Sequence, residues 1–88
     1  MAVLYRHHVV GMDAGTYDRA AVDLIPQLKQ QPGFLYHIAF PEGDGFTVDE
    51  VWESREQQDR WFQGSVKPNV PGEIKLVAAV DVHNVVAP

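Results

Sequence analysis

The sequence contains no cysteine, and only seven of its 88 residues are Lys or Arg. Without thiols there is no disulfide framework and no Cys-based zinc site. With so few cations, scattered along the chain, no basic surface is available to neutralise a phosphate backbone, so no nucleic-acid partner is expected. Twelve Asp and Glu leave a formal net charge of −5, which suits solubility and disfavours anionic polymers. Long apolar runs are missing too. The longest are a few residues, against about 20 for a membrane-spanning helix. The opening MAVLYRHHVV lacks the basic, apolar, small-residue order of a secretory signal. These absences lead to the expectation of a soluble, cytoplasmic protein with no membrane partner.

What is present is globular. The hydrophobic fraction is 45%, too high for a disordered chain. The length falls below the usual domain size of roughly 100–150 residues, so residues 1–88 are expected to form one domain. A domain this small buries only part of its apolar surface and often gains stability from a second copy.

Residues 2–10 read as a strand, with Val3, Tyr5, His7 and Val9 on one face and Leu4, Arg6, His8 and Val10 on the other. Asp13 is placed to cap a helix. Tyr17, Ala20, Ala21, Leu24 and Leu28 then recur at helical spacing. Pro26 should kink or end that helix, giving a span of about 14–25 with a distorted last turn. Gln31-Pro32-Gly33 is a break.

Residues 34–40, FLYHIAF, form a second strand, apolar except at His37 and so expected to be buried on both faces. PEGDG at 41–45 supplies a turn. FTVDEVWES at 46–54 is a third strand, close enough to the second to pair as a hairpin. Ser54-Arg55-Glu56-Gln57 is a capping box that opens a second helix. Its buried face is expected at Trp61, Phe62 and Val66, with its end at Pro68. Residues 73–86 read as a long last strand whose second half bends away or extends past the sheet. The order β-α-β-β-α-β is the ferredoxin-like α+β arrangement, a four-stranded antiparallel sheet with two helices on one face. The uncovered face is expected to pack against a second copy, closing a barrel with a cavity between strands and helices.

The element order, the VWESRE stretch at 51–56 and the Trp61-Phe62 pair resemble the dimeric α/β-barrel superfamily, nearest to its antibiotic biosynthesis monooxygenase-like domains. The resemblance implies a homodimer and a small-molecule pocket. In such proteins the Trp of the V-W-x-S stretch lines the pocket, and here that residue is Trp52. Heme-degrading members use a His on the following helix as iron ligand. Residues 55–67 contain no His, which argues against that chemistry. Cofactor-independent, quinone-forming monooxygenases of aromatic or polyketide-like substrates are the favoured comparison, so a small aromatic or apolar molecule is the expected partner, with no cofactor and no metal. A non-catalytic ligand-binding or accessory dimer, or a cyclase on the same scaffold, are the alternatives.

His37 reads either as a core histidine satisfied by a carbonyl or carboxylate, or as an acid–base group beside a ligand. Glu50 lies two residues before Trp52, on the same strand face, and can pair with His37 across the hairpin. That pair reads either as a structural bridge or as a base with its orienting partner. His37 and Glu50 are the candidate catalytic residues. Trp52, Tyr5, His7, Tyr36 and Trp61 are the candidate substrate-binding residues. Trp61 also reads as plain helix-to-sheet packing, and Tyr17 as packing on the helix stripe. His7 and His8 point to opposite faces and cannot chelate one metal from the same side.

Overall fold

The computed structural model describes residues 1–88. The elements are β1 (Val3–Val10), α1 (Ala14–Leu28), β2 (Phe34–Glu42), β3 (Gly45–Trp52), α2 (Arg55–Trp61), a π-helical turn (Phe62–Val66), a short α3 (Lys67–Asn69) and β4 (Ile74–Asp81). The four strands form one antiparallel sheet in the order β2-β3-β1-β4. The helices cover one face, which makes this the ferredoxin-like α+β fold. No helix is long and apolar enough to cross a membrane.

Local chemistry accounts for the element boundaries. Asp13 Oδ1 accepts the Thr16 backbone N–H at 2.8 Å and caps α1. Ser54 Oγ accepts from the Gln57 N–H at 3.2 Å and caps α2, as the S-x-x-Q box requires. The β2–β3 hairpin turns on two residues, Gly43 and Asp44. Gly43 has a φ of 58° at the first central position, where a two-residue turn of this kind calls for glycine. Gly45 follows for a steric reason: a Cβ there would run into the backbone carbonyl of Val9 on β1.

Alternation on the central strands sorts the side chains. Val3, Tyr5, His7 and Val9 of β1 face the helices with Phe46, Val48, Glu50 and Trp52 of β3. Val3, Tyr5, Leu28, Trp52 and Trp61 make the larger buried cluster. Val9, Met12 and Phe46 make a smaller one towards the hairpin end. Leu4, Arg6, His8 and Val10 point to the outer face, where Arg6 grips Asp49 through two bonds of 2.7 Å.

Several expectations need correction. Pro26 does not end α1, which runs to Leu28. Proline is costly in mid-helix, but here it falls in the last turn, where the Gln27 side-chain Nε2–H donates to the Asp23 carbonyl at 3.0 Å. Leu28, 2% exposed, anchors that turn in the core. Pro68 likewise does not stop the second helical stretch. It sits in the last turn of that continuous helical stretch, directly after the π-helical turn, and only Asn69 follows before the chain extends at Val70. Strand β2 is not buried on both faces. It is an edge strand, and Leu35, Tyr36 and Ile38 are exposed. Pro41, expected in the turn, is part of β2, as edge strands permit. Strand β3 stops at Trp52, and β4 stops at Asp81, opposite Val3, with one further bond from the Val82 N–H to the Ala2 carbonyl at 2.8 Å.

Candidate functional site

A small cavity of about 90 Å³ lies between the inner sheet face and the helices. Its walls are mostly apolar: Ala20, Ala21, Leu24 and Ile25 come from α1, Val48 from β3, and Phe62 and Val66 from the π-helical turn. The polar side chains on this wall are therefore the informative ones.

Four residues form a continuous chain of hydrogen bonds. Trp52 Nε1–H donates to Glu50 Oε1 at 3.0 Å. Glu50 Oε2 lies 2.7 Å from His37 Nδ1. His37 Nε2 lies 2.8 Å from the Tyr17 hydroxyl. An indole is only a donor and a carboxylate only an acceptor. In the neutral ring, Nδ1–H therefore donates to Glu50, and Nε2 accepts the Tyr17 O–H. The carboxylate selects the tautomer and leaves the basic nitrogen towards Tyr17. Both partners of the His37–Glu50 pair are largely buried, with side chains 17% and 13% exposed.

The fold brings these groups together by register. His37 is the direct cross-strand neighbour of Glu50. Strict alternation from Phe34, which packs on the core, would send His37 outward. A register shift between Phe34 and Tyr36 adds one residue and turns His37 inward. Glu50 and Trp52 share the inner face by simple alternation. Tyr17 reaches the same point from α1 and stacks on Phe46, with ring centroids 5.5 Å apart.

Electrostatics reinforce this arrangement. Burial, followed by the negative charge of Glu50, pushes the Tyr17 phenol above its ordinary range, so it stays protonated and donates. Burial lowers His7 below the usual imidazole value, an effect partly opposed by Glu50. His7 lines the cavity as a neutral ring, stacked between Tyr5 and Phe62 at 6.2 and 5.0 Å.

The other candidate residues occupy different places. Trp61 and His7 line the cavity. Trp52 does not. It is fully buried behind Glu50 and holds that carboxylate in position. Tyr5 is buried in the core and borders a shallower groove between α2 and β4. Tyr36 lies on the outer face, nearly half exposed, because the register shift pairs it with Val51. Tyr17, read from the sequence as packing, is a polar member of the site. Its place on the helix stripe was visible, but the reach of its hydroxyl to a strand residue was not. No group of three or more His, Cys, Asp or Glu is arranged to hold a metal ion.

No protein-family profile and no curated relative matches the sequence. Solved structures do match. The heme-degrader MhuD from Mycobacterium tuberculosis, with two hemes bound in its active site, is 20% identical over 97% of this chain and 99% of its own, with a TM-score of 0.63. SnoaB, a cofactor-independent oxygenase from Streptomyces nogalater, is 16% identical over 93% of this chain and 95% of its own, with a TM-score of 0.56. Rv0793 from M. tuberculosis is 14% identical over 96% of this chain and all of its own, with a TM-score of 0.61. These proteins carry the fold of the superfamily that VWESRE resembles, so that expectation holds at the level of fold.

Proposed function

We propose that this chain is a homodimeric oxygenase that works without a bound cofactor on a small aromatic molecule bearing an acidic CH₂ beside a carbonyl. The observation that carries the reading is the Trp52–Glu50–His37–Tyr17 chain ending on the wall of an apolar cavity. A fixed carboxylate behind an imidazole is the arrangement of a general base.

In this reading the substrate CH₂ gives a proton to the Tyr17 oxygen as the Tyr17 proton moves to His37 Nε2. The imidazolium so formed rests against Glu50. The carbanion is oxidised by dioxygen and gains a C–OOH group, taking its proton back from His37. Loss of water then leaves C=O. The balance is CH₂ + O₂ → C=O + H₂O, with one oxygen atom kept and one released.

SnoaB, described as a cofactor-independent oxygenase on the same fold, supports this reading over heme chemistry. Heme fits the present cavity poorly. Pockets for ligands of that size enclose roughly 300–1,000 Å³, against about 90 Å³ here. Residues 55–69, which form α2 and the turns after it, contain no His. The cavity is also below the roughly 150 Å³ that admits benzene in an engineered core, so even a one-ring ligand needs a wall to give.

The second copy would cover the outer sheet face. Tyr36, Val51, Leu4 and Val80 form a row there across all four strands, and Tyr36 and Val80 are about half exposed. Size-exclusion chromatography with light scattering should return twice the 9.9 kDa chain mass.

The functional test is oxygen uptake with 2-indanone, a small ketone whose CH₂ groups flank the carbonyl. Wild-type protein should consume oxygen and form the dicarbonyl product. His37→Ala should slow uptake at least about a hundredfold, the usual contribution of a general base. Equal rates in wild type and His37→Ala would remove His37 from the mechanism.

A further inference from the structure

Two hollows meet at one wall. The cavity between sheet and helices and the groove between α2 and β4 share four lining residues, His7, Gln58, Phe62 and Ile74. Within this wall the His7 and Phe62 rings stack face to face, 9° from parallel, with centroids 5.0 Å apart. The two ends of that stack are held differently. His7 stands on β1, which is bonded to a strand on either side, and its ring also stacks on Tyr5. Phe62 is only part-buried and opens the π-helical turn Phe62–Val66. Such widened turns are rare and often occur at functional sites. Phe62 is thus the member of the wall best placed to move.

The groove behind Phe62 has an unusual floor. Leu76 lies opposite His7 on β4, so it faces inward. It is nevertheless 59% exposed, because α2 leaves this part of the edge strand uncovered. The cavity itself holds about 90 Å³, less than the roughly 150 Å³ that admits benzene. A ring can enter only if a wall yields, and behind Phe62 there is open space to receive its side chain. We propose that Phe62 is a gate between the two hollows and that the groove is the outer half of one ligand site, which takes an aromatic ketone bearing an apolar tail. The ring passes Phe62 to reach Tyr17 and His37, and the tail remains over Leu76. This rests on the reading of the cavity as a ligand site and adds the shape of its substrate and the way in.

The test titrates acetophenone and 4-butylacetophenone, which differ only in the tail, against protein with ¹³C-labelled methyl groups. Both probes should shift the Val48 methyls in the cavity, and only the butyl probe should also shift those of Leu76. The butyl probe should bind about tenfold or more tightly than acetophenone, as expected for a tail that is partly buried. Leu76→Thr, at an exposed position, should remove about threefold or more of that advantage and leave acetophenone nearly unchanged. Phe62→Ala should raise the association rate of both probes by about tenfold or more, because binding is no longer slowed by a conformational step. Phe62→Leu, smaller than Phe but still apolar, replaces it if the alanine variant does not fold. If the butyl probe shifts Val48 but not Leu76, the cavity remains a ligand site and the groove is no part of it. An unchanged association rate in the Phe62 variant overturns the gate. If neither probe shifts Val48, the ligand-site reading fails and the gate fails with it.

Discussion

The two faces of the sheet each carry a histidine linked to a carboxylate, and the two assemblies differ in what surrounds them. On the inner face, His37 lies between Tyr17 and Glu50, and Glu50 is held by Trp52. On the outer face, His8 lies 3.1 Å from Thr47 Oγ1 and 2.6 Å from Asp44 Oδ1, while Thr47 donates to Glu42 at 2.6 Å. The groups are nearly the same. The inner carboxylate is 13% exposed, whereas the side chain of Asp44 is 70% exposed at a hairpin tip. Water screens Asp44 and can take its place, although the His8 side chain is as covered as that of His37. The inner set faces an apolar cavity, where each bond is stronger and each lost partner costs more. Residue type alone does not distinguish a site from a surface tie. Burial and an adjoining cavity do.

The sharpest way to break the comparison is to remove the carboxylate on each side. Glu50→Ala strips the acceptor from two donors, the Trp52 indole and His37 Nδ1. It should cost roughly 2–6 kcal/mol in urea unfolding, given about 1–3 kcal/mol for each of the two buried groups left unpaired. Asp44→Ala should shift the urea midpoint far less, because Asp44 is solvated. Equal losses would erase the distinction between the faces.

A smaller effect is expected from Tyr17→Phe. It removes one hydrogen bond and keeps the ring on Phe46, so about 1 kcal/mol should be lost in the same assay. Its loss in oxygen uptake should exceed what that destabilisation explains, because the relay to His37 is cut. A variant with the stability loss and full activity would return Tyr17 to a packing role.

The smallest effect is a pH dependence. Burial holds His7 below its unfolded value. Below about pH 6.5 the unfolded chain takes up a proton that the folded chain resists. The contribution is complete above the unfolded value and is lost as pH falls towards the folded one. The wild-type urea midpoint should fall between pH 7.5 and pH 5, and part of that slope should vanish in His7→Phe. An unchanged slope would show that His7 is not the group resisting protonation.

Much of this is legible in the sequence. The six-element order follows from periodicity and turn residues. The His37–Glu50 pairing follows from hairpin proximity and the shared strand face of Glu50 and Trp52. Depth was not legible. Alternation puts Trp52 on the inner face but does not say that it lies behind Glu50 and away from the cavity. Helical spacing puts Tyr17 on the stripe but not its hydroxyl on His37. The prolines misled because the rule against mid-helix proline relaxes in a last turn, where Pro26 and Pro68 both lie. Tyr36 was misplaced by one extra residue that leaves no mark in the hydropathy.

That extra residue gives β2 two reading frames. Phe34 counts inward in the first, and His37 and Ala39 count inward in the second, with Leu35 as the unpaired insertion between them. Phe34 and Tyr36 sit opposite Trp52 and Val51, which are neighbours on β3. A related chain lacking the equivalent of Leu35 would therefore keep the histidine opposite the glutamate. An ungapped alignment across this point would pair His37 with an outward residue of such a relative. The histidine would then look unshared between two proteins that both possess it, so a search for this site among distant relatives has to allow a one-residue gap at Leu35.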